Sequence, residues 1–256
     1  RNKCSAVVIG LTGSNGKTTV KAMLQQILER EAPTLATRGN FNNDIGVPLT
    51  LFRLAQSDQY GIIEMGANHI GEIAGLARTA RPDIVYVNNV SAAHLTGFGD
   101  VNGVIAAKGE LYEYCKPEHR ALFNLDEVAT QRWRPTCLAD TQLTCAMDQS
   151  ADINASWALS NSGVEVSFQR GNEHQQCNIE VLGEHNARNA LAAVSLAVLA
   201  GVSFKQSVSN LQGFSAVGGR LQRLRGPHQS CILNDSYNAN PSSLEAGVKV
   251  LCSLGD

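Results

Sequence analysis

The 256-residue chain lacks any excess of charge: 21 Lys and Arg against 23 Asp and Glu leave a formal net charge of −2. With a pI of about 6.3, it offers no electrostatic footprint for nucleic acid or an anionic membrane as main partner. It also lacks an apolar run of the ~18 residues that a membrane-spanning helix needs, and its start does not read as the basic region and long apolar region of a secretory signal. It lacks cysteine pairs. The seven cysteines are odd in number and scattered, with no Cys-x-x-Cys, which speaks against a disulfide scaffold or a zinc site. A reduced, cytosolic compartment with free thiols is expected. Internal repeats and low-complexity segments are absent too.

What is present is an ordinary globular composition, 43% hydrophobic and 17% charged, long enough for one large domain or two small ones. The chain has no initiator Met, reaches a strand-like run within a few residues, and stops at Leu254-Gly255-Asp256 directly after a helical run. A piece of a longer protein is expected.

Residues 1 to about 115 alternate short apolar runs with helical patterns. Strands are expected at Ala6–Ile9, Thr34–Thr37, Gly61–Met65 and Asp83–Asn88, and helices at Thr18–Arg30, Val47–Leu54, Ile70–Thr79 and Val101–Tyr114. This rhythm predicts an α/β fold: a mostly parallel sheet with helices on both faces. Ala121–Asn124 adds a strand. Between about 136 and 182 polar and apolar residues alternate, predicting a small antiparallel β-sheet with a hairpin turn at Asn161-Ser162-Gly163. Residues 184–200 are apolar nearly all round and read as a buried helix. A helix at Phe204–Leu211, a strand at Ser230–Leu233 and a helix at Ser242–Leu251 follow.

The stretch Gly10-Leu11-Thr12-Gly13-Ser14-Asn15-Gly16-Lys17-Thr18-Thr19 lies between the first strand and the first helix. Strand, glycine-rich turn, Gly-Lys-Thr and helix make a phosphate-binding loop. Backbone N–H groups of Gly13, Ser14, Asn15 and Gly16 would surround polyphosphate at the helix N-terminus. Lys17 would reach the terminal phosphates, and the Thr18 or Thr19 hydroxyl could hold Mg²⁺. One position departs from the general pattern: Leu11 stands where a glycine is usual.

In a parallel sheet ligands bind outside the carboxyl ends of the strands, so polar residues just after strands carry most information. Glu64 closes a strand and suits a metal contact, or is a surface acid. His94 follows the strand Asp83–Asn88 and is either a site residue or a loop histidine. Lys108 falls inside the apolar stripe Val104, Ile105, Leu111, Tyr112. It must snorkel, pair or lose its charge, and a neutral amine there is open to modification. Asn186 and Asn189 sit one turn apart at the start of the buried helix, as a cap or as ligand contacts. Arg220, behind Gly218-Gly219, suits a phosphate fork or is a solvated charge. Asp235 ends the last strand and could hold ribose hydroxyls or shape a turn. The asparagine-rich loop with Asn40, Asn42 and Asn43 could bind a sugar or peptide.

Together, Thr12 to Thr19, Glu64-Met65-Gly66, Ala93-His94-Leu95, Ala107-Lys108-Gly109-Glu110, Gly183 to Ala190 and Asp235 to Pro241 resemble the Mur ligases. These are ATP-dependent peptide-bond formers of bacterial cell-wall synthesis. Three stretches, Gly39 to Pro48, Gly66 to Ile73 and Asp235 to Pro241, point to the branch that joins D-alanyl-D-alanine to UDP-N-acetylmuramoyl-tripeptide. The resemblance implies ATP and Mg²⁺ as cofactors, small-molecule substrates, a monomer and a bacterial cytoplasmic location. It implies that Lys17 and the loop N–H groups hold the phosphates, while Thr18, Glu64, His94 and a carbamylated Lys108 set Mg²⁺. Asn186 and Asn189 would contact the nucleotide, Arg220 the γ-phosphate, Asp235 the ribose, and Asn40, Asn42 and Asn43 the muramoyl-peptide. It further implies a central ATP-binding domain over 1–225 and the start of a Rossmann-like domain over 226–256. Gly218 stands where the family usually has Pro, which loosens the aim of Arg220. A sister ligase, a folylpolyglutamate synthetase-like enzyme, or a nucleotide-binding module without turnover are the alternatives. The absence of Asn-Lys-x-Asp for guanine argues against a P-loop switch.

Overall fold

The run Val7-Val8-Ile9-Gly10-Leu11-Thr12 forms β1 (Val7–Thr12), buried along nearly its whole length. Val8 points to one side of the sheet and Ile9 to the other, so β1 belongs to two cores at once. In this computed structural model, residues 4–92, 95–161, 163–237 and 239–253 are described. The elements that follow are α1 (Lys17–Glu29), β2 (Thr34–Ala36), α2 (Gly46–Phe52), β3 (Tyr60–Glu64), α3 (Glu72–Ala80), β4 (Ile84–Val87), α4 (Leu95–Phe98) and α5 (Val101–Glu113). Next come β5 (Arg120–Asn124), α6 (Thr130–Trp133), β6 (Thr141–Ala146), β7 (Ile153–Leu159), β8 (Val164–Arg170) and β9 (Glu173–Ile179). The chain continues with α7 (Glu184–Leu199), α8 (Phe204–Leu211), β10 (Gln222–Arg225), β11 (Cys231–Asn234) and α9 (Pro241–Ser253).

Among the described residues the main sheet has nine strands in the order β2-β3-β1-β4-β5-β6-β7-β8-β9. Pairs from β2 to β7 run parallel; β7–β8 and β8–β9 run antiparallel. Helices cover both faces, as the alternating pattern predicts. On one face α1, α7 and α8 bury Leu24, Ile27, Leu196 and Val208 against Ile9 and Ile62. On the other, α3 and α5 bury Ile73, Leu76, Val104 and Leu111 against Val8, Ile63 and Val85. Each such side chain contributes roughly 1.5–3 kcal/mol.

Two expectations are corrected. The antiparallel strands foreseen within 136–182 are present as β7–β9, but they extend the parallel sheet rather than standing apart. The reason is β6: α6 and the turn at 134–136 form a crossover that returns the chain parallel to β5, and β7 then adds parallel to β6. The separate antiparallel sheet is the pair β10–β11. Second, the helix expected from Ile70 starts at Glu72, because Gly71 caps it at φ 92°, a left-handed conformation suited to glycine.

β10 and β11 pack with α9 around Leu182, Leu221, Leu233 and Val250. A division at 225/226 falls inside the β10–β11 ladder, where Arg225 pairs with Cys231. Among the described residues no helix is long and apolar enough to cross a membrane.

Candidate functional site

β1 lies between β3 and β4, and the chain leaves it toward β2 on one side and reaches β4 on the other. The carboxyl end of β1 is therefore a topological switch point, where open α/β sheets bind ligands. A cleft of about 990 Å³ opens there.

Its floor is the loop after β1. Leu11 is fully buried inside the strand, and the loop proper begins at Gly13. The usual glycine is dispensable at Leu11 because the strand has not yet turned. Gly13 at φ 148° and Gly16 at φ 77° make the turn. The loop is held from β4: Ser14 N donates to Asn89 O at 2.9 Å and Asn15 N to Asn89 Oδ1 at 2.8 Å. Asn88 Nδ2 donates to Asn15 O at 2.9 Å and to Asn189 Oδ1 at 3.2 Å.

Lys17 opens α1, and its Nζ donates to Gly13 O at 2.6 Å and Ser14 O at 3.2 Å. Burial lowers its pKa, Glu64 opposes this, and Arg220 adds to it. Thr18 Oγ1 donates to Glu64 Oε2 at 3.0 Å and accepts from Arg220 at 2.9 Å. Glu64 ends β3 and is only 2% exposed. Burial pushes its carboxyl up, but the charge and hydrogen bond of Lys21 and the hydrogen bond from Asn42 outweigh it and hold the pKa below the ordinary value. The Lys21–Glu64 ion pair measures 3.0 Å and the Asn42 Nδ2–Glu64 Oε1 bond 2.9 Å.

Lys108 faces inward from α5 and is 3% exposed, as its place in the apolar stripe predicts. Its Nζ lies 5.7 Å from the centroid of the Phe98 ring. Burial, then the charge of Lys17, lowers its pKa from 10.5 to about 7. Asn186 and Asn189 are both buried at the start of α7. Asn186 does not cap the helix; its Nδ2 donates to Leu182 O at 2.8 Å, and its Oδ1 accepts from Asn189 at 3.2 Å.

Arg220 is not a solvated charge. Its guanidinium carbon is 4.2 Å from the centroid of Tyr237, and Tyr237 N donates to Gly219 O at 3.1 Å. Stacking and this turn aim the arginine where the family pattern would use proline. Asp235 accepts from Leu221 N at 3.1 Å and lies near the partly buried His185. Burial lowers the His185 pKa, and Asp235 opposes the shift. The cleft wall brings together Thr18, Asn40, Asn42, Asn43, Glu64 and Lys108 with Asn186, Asn189, Arg220 and Asp235. His94 lies outside the described residues.

Residues 11–197 match the family model for the Mur ligase middle domain. The chain belongs to the Mur ligase family. It is 38% identical over 257 residues to the UDP-N-acetylmuramoyl-tripeptide–D-alanyl-D-alanine ligase of Escherichia coli K12, covering 99% of this chain and 57% of that one. Identity to the same ligase of Bacillus subtilis is 32% over 252 residues, 96% of this chain and 53% of that one. A crystal structure of MurF from Acinetobacter baumannii superposes with a TM-score of 0.91 at 36% identity, covering 98% of this chain and 55% of that one. The chain thus spans little more than half the length of the relatives it matches.

Three groups in this Mur ligase chain escaped the sequence reading. Asn88 and Asn89 brace the phosphate loop, and their place directly after a buried strand was the available signal. Tyr237 under Arg220 and Asn240, whose Nδ2 donates to Asn15 Oδ1 at 2.7 Å, stand in the family-like stretch Asp235 to Pro241, but no local pattern pointed to these two contacts. Lys21 is 4% exposed on α1, and its signal was a charge on the apolar face of that helix.

Proposed function

We propose that this chain is the ATP-binding portion of a UDP-N-acetylmuramoyl-tripeptide–D-alanyl-D-alanine ligase of a bacterial cytoplasm, acting as a monomer. The observation that carries the reading is the Thr18–Glu64 contact at 3.0 Å. It joins the phosphate loop to the end of β3 in a cleft lined by Lys17, Lys108 and Arg220, with Lys21 buried behind the Glu64 carboxylate. That surround suits a polyphosphate and a carboxylate brought together. We place the domain division before β10, since β10 and β11 share one ladder.

The donors fit Mg²⁺. Among the described residues no group of three or more His, Cys, Asp or Glu could hold a metal. A hydroxyl and a carboxylate 3.0 Å apart instead suit a cation that keeps waters and phosphate oxygens as its other ligands. Thr18 and Glu64 would hold it, with His94 and a carbamylated Lys108. When bound, it would neutralise charge on the phosphates. Carbamylation needs a neutral amine: Lys108 Nζ adds to CO₂ and loses a proton, which a pKa of about 7 permits near neutrality.

Lys17 and the N–H groups of Gly13 to Thr19 would hold ATP, with Asn186 and Asn189 toward the base, Asp235 toward the ribose and Arg220 toward the γ-phosphate. Asn40, Asn42 and Asn43 would position the muramoyl-peptide. Its carboxylate would attack the γ-phosphorus and release ADP, giving an acyl phosphate. The D-alanyl-D-alanine amine would then displace phosphate. Positioning and cationic stabilisation by Lys17 and Arg220 lower both barriers. Phosphate release by the full-length protein tests this. D-Alanyl-D-alanine should stimulate it in the presence of UDP-N-acetylmuramoyl-tripeptide; stimulation by a single amino acid instead would assign a sister ligase.

A further inference from the structure

We propose that Lys21 is a positioning residue that ties the asparagine-rich loop to the nucleotide end of the cleft through Glu64. The proposal rests on the reading of that loop as the acceptor-substrate site.

Lys21 lies one turn beyond Lys17 on α1, with its side chain 5% exposed. Its Nζ reaches Glu64 Oε2 at 3.0 Å and donates to Gly39 O at 3.3 Å. Gly39 opens the loop that leads from β2 to α2. The same carboxylate accepts from Asn42 Nδ2 at 2.9 Å through its other oxygen, and Gly66 N, just past β3, donates to Asn42 O at 2.8 Å. Thr18 Oγ1 completes the set on Glu64 Oε2 at 3.0 Å. Two residues of α1 and one of the loop thus converge on one buried carboxylate, and Lys21 holds a second point of the loop, Gly39 O.

This arrangement exceeds what neutralising Glu64 requires. A counter-charge alone would need no bond to Gly39. The ammonium uses one donor for the carboxylate and another for the loop backbone, so the position of the loop is set by the helix that carries Lys17 and Thr18. Moving Glu64 toward a cation would shift the Lys21 and Asn42 contacts together, and with them the loop. Acceptor placement and nucleotide-end geometry therefore vary as one unit.

The test uses the full-length protein with Lys21→Met and Lys21→Gln. Amide hydrogen exchange without substrates should accelerate about tenfold or more in 39–46 and stay unchanged in β7–β9. The KM for UDP-N-acetylmuramoyl-tripeptide should rise about tenfold, with the KM for ATP changing less than about threefold. Lys21→Arg, which keeps charge and donors, should recover most of both. Uniform acceleration across the chain, an unchanged loop, or failure of both neutral variants to fold would make Lys21 a structural counter-charge and overturn the proposal. Faster loop exchange with an unaltered acceptor KM would leave the tie standing and sink the acceptor reading of the loop.

Discussion

Arg220 donates to Thr18 Oγ1 at 2.9 Å, joining the turn before β10 to the first turn of α1 across 202 positions of sequence. The guanidinium is held from behind by Tyr237. A cation is thereby fixed at the hydroxyl that follows the phosphate-loop lysine.

Arg220→Ala should lower kcat for phosphate release about 100-fold or more, the usual effect of removing a charge aimed at a transferring phosphoryl group. Arg220→Lys should recover only part of this, because an ammonium lacks the planar face that stacks on Tyr237. Steady-state phosphate release by the full-length protein checks both. An Arg220→Ala variant within threefold of wild type would remove Arg220 from the γ-phosphate site.

Lys17→Ala should weaken ATP–Mg²⁺ binding by about tenfold or more while leaving the fold intact. Lys17 is partly exposed, and its hydrogen bonds to Gly13 O and Ser14 O lie within the loop it caps. Calorimetric titration of nucleotide, alongside circular dichroism, separates the two effects. Unchanged affinity would deny the loop its phosphate-binding role.

What the sequence made legible follows from physical range. β1, α1 and α5 were readable because period-2 and period-3.6 patterns are local, and Lys108 stood out as a charge inside such a pattern. Glu64 was readable because a carboxyl end of a parallel strand is a site by topology. β6 was not, since pairing direction depends on whether the preceding connection crosses over or turns back, and α6 is a single turn with weak periodicity. The partners of Arg220 and Asn15 were not, because Tyr237 and Asn240 arrive from a segment more than 200 residues after the loop. Lys21 was visible but overshadowed by the motif four residues before it.

Gly16→Ala should abolish nucleotide binding. Gly16 sits at φ 77°, and a Cβ there would lie 2.5 Å from Asn189 Oδ1 and 2.6 Å from Asn88 Nδ2. Both amides belong to the brace of the loop, so relief of the clash would break the Asn88–Asn189 bond and displace Asn15 O. The left-handed backbone adds about 1 kcal/mol or more. Binding and thermal melting measured together check this; a variant that binds ATP like wild type would show that the brace is not needed.

Lys108 gives a pH dependence with a definite sign. Its ordinary value is 10.5 and its folded value about 7. Below 7 the amine is charged in both states; above 10.5 it is neutral in both. Between them the unfolded chain holds one more proton, so the contribution of Lys108 to stability rises with pH, by up to about 1.4 kcal/mol per unit. Lys108→Met removes that slope. Urea denaturation at pH 7 and pH 9, in buffers purged of CO₂ so that no carbamate forms, should show wild type gaining about 2 kcal/mol on the variant between the two conditions. An unchanged gap would mean that the folded amine titrates near its ordinary value, and a largely protonated Lys108 could not supply the neutral nucleophile that carbamylation requires.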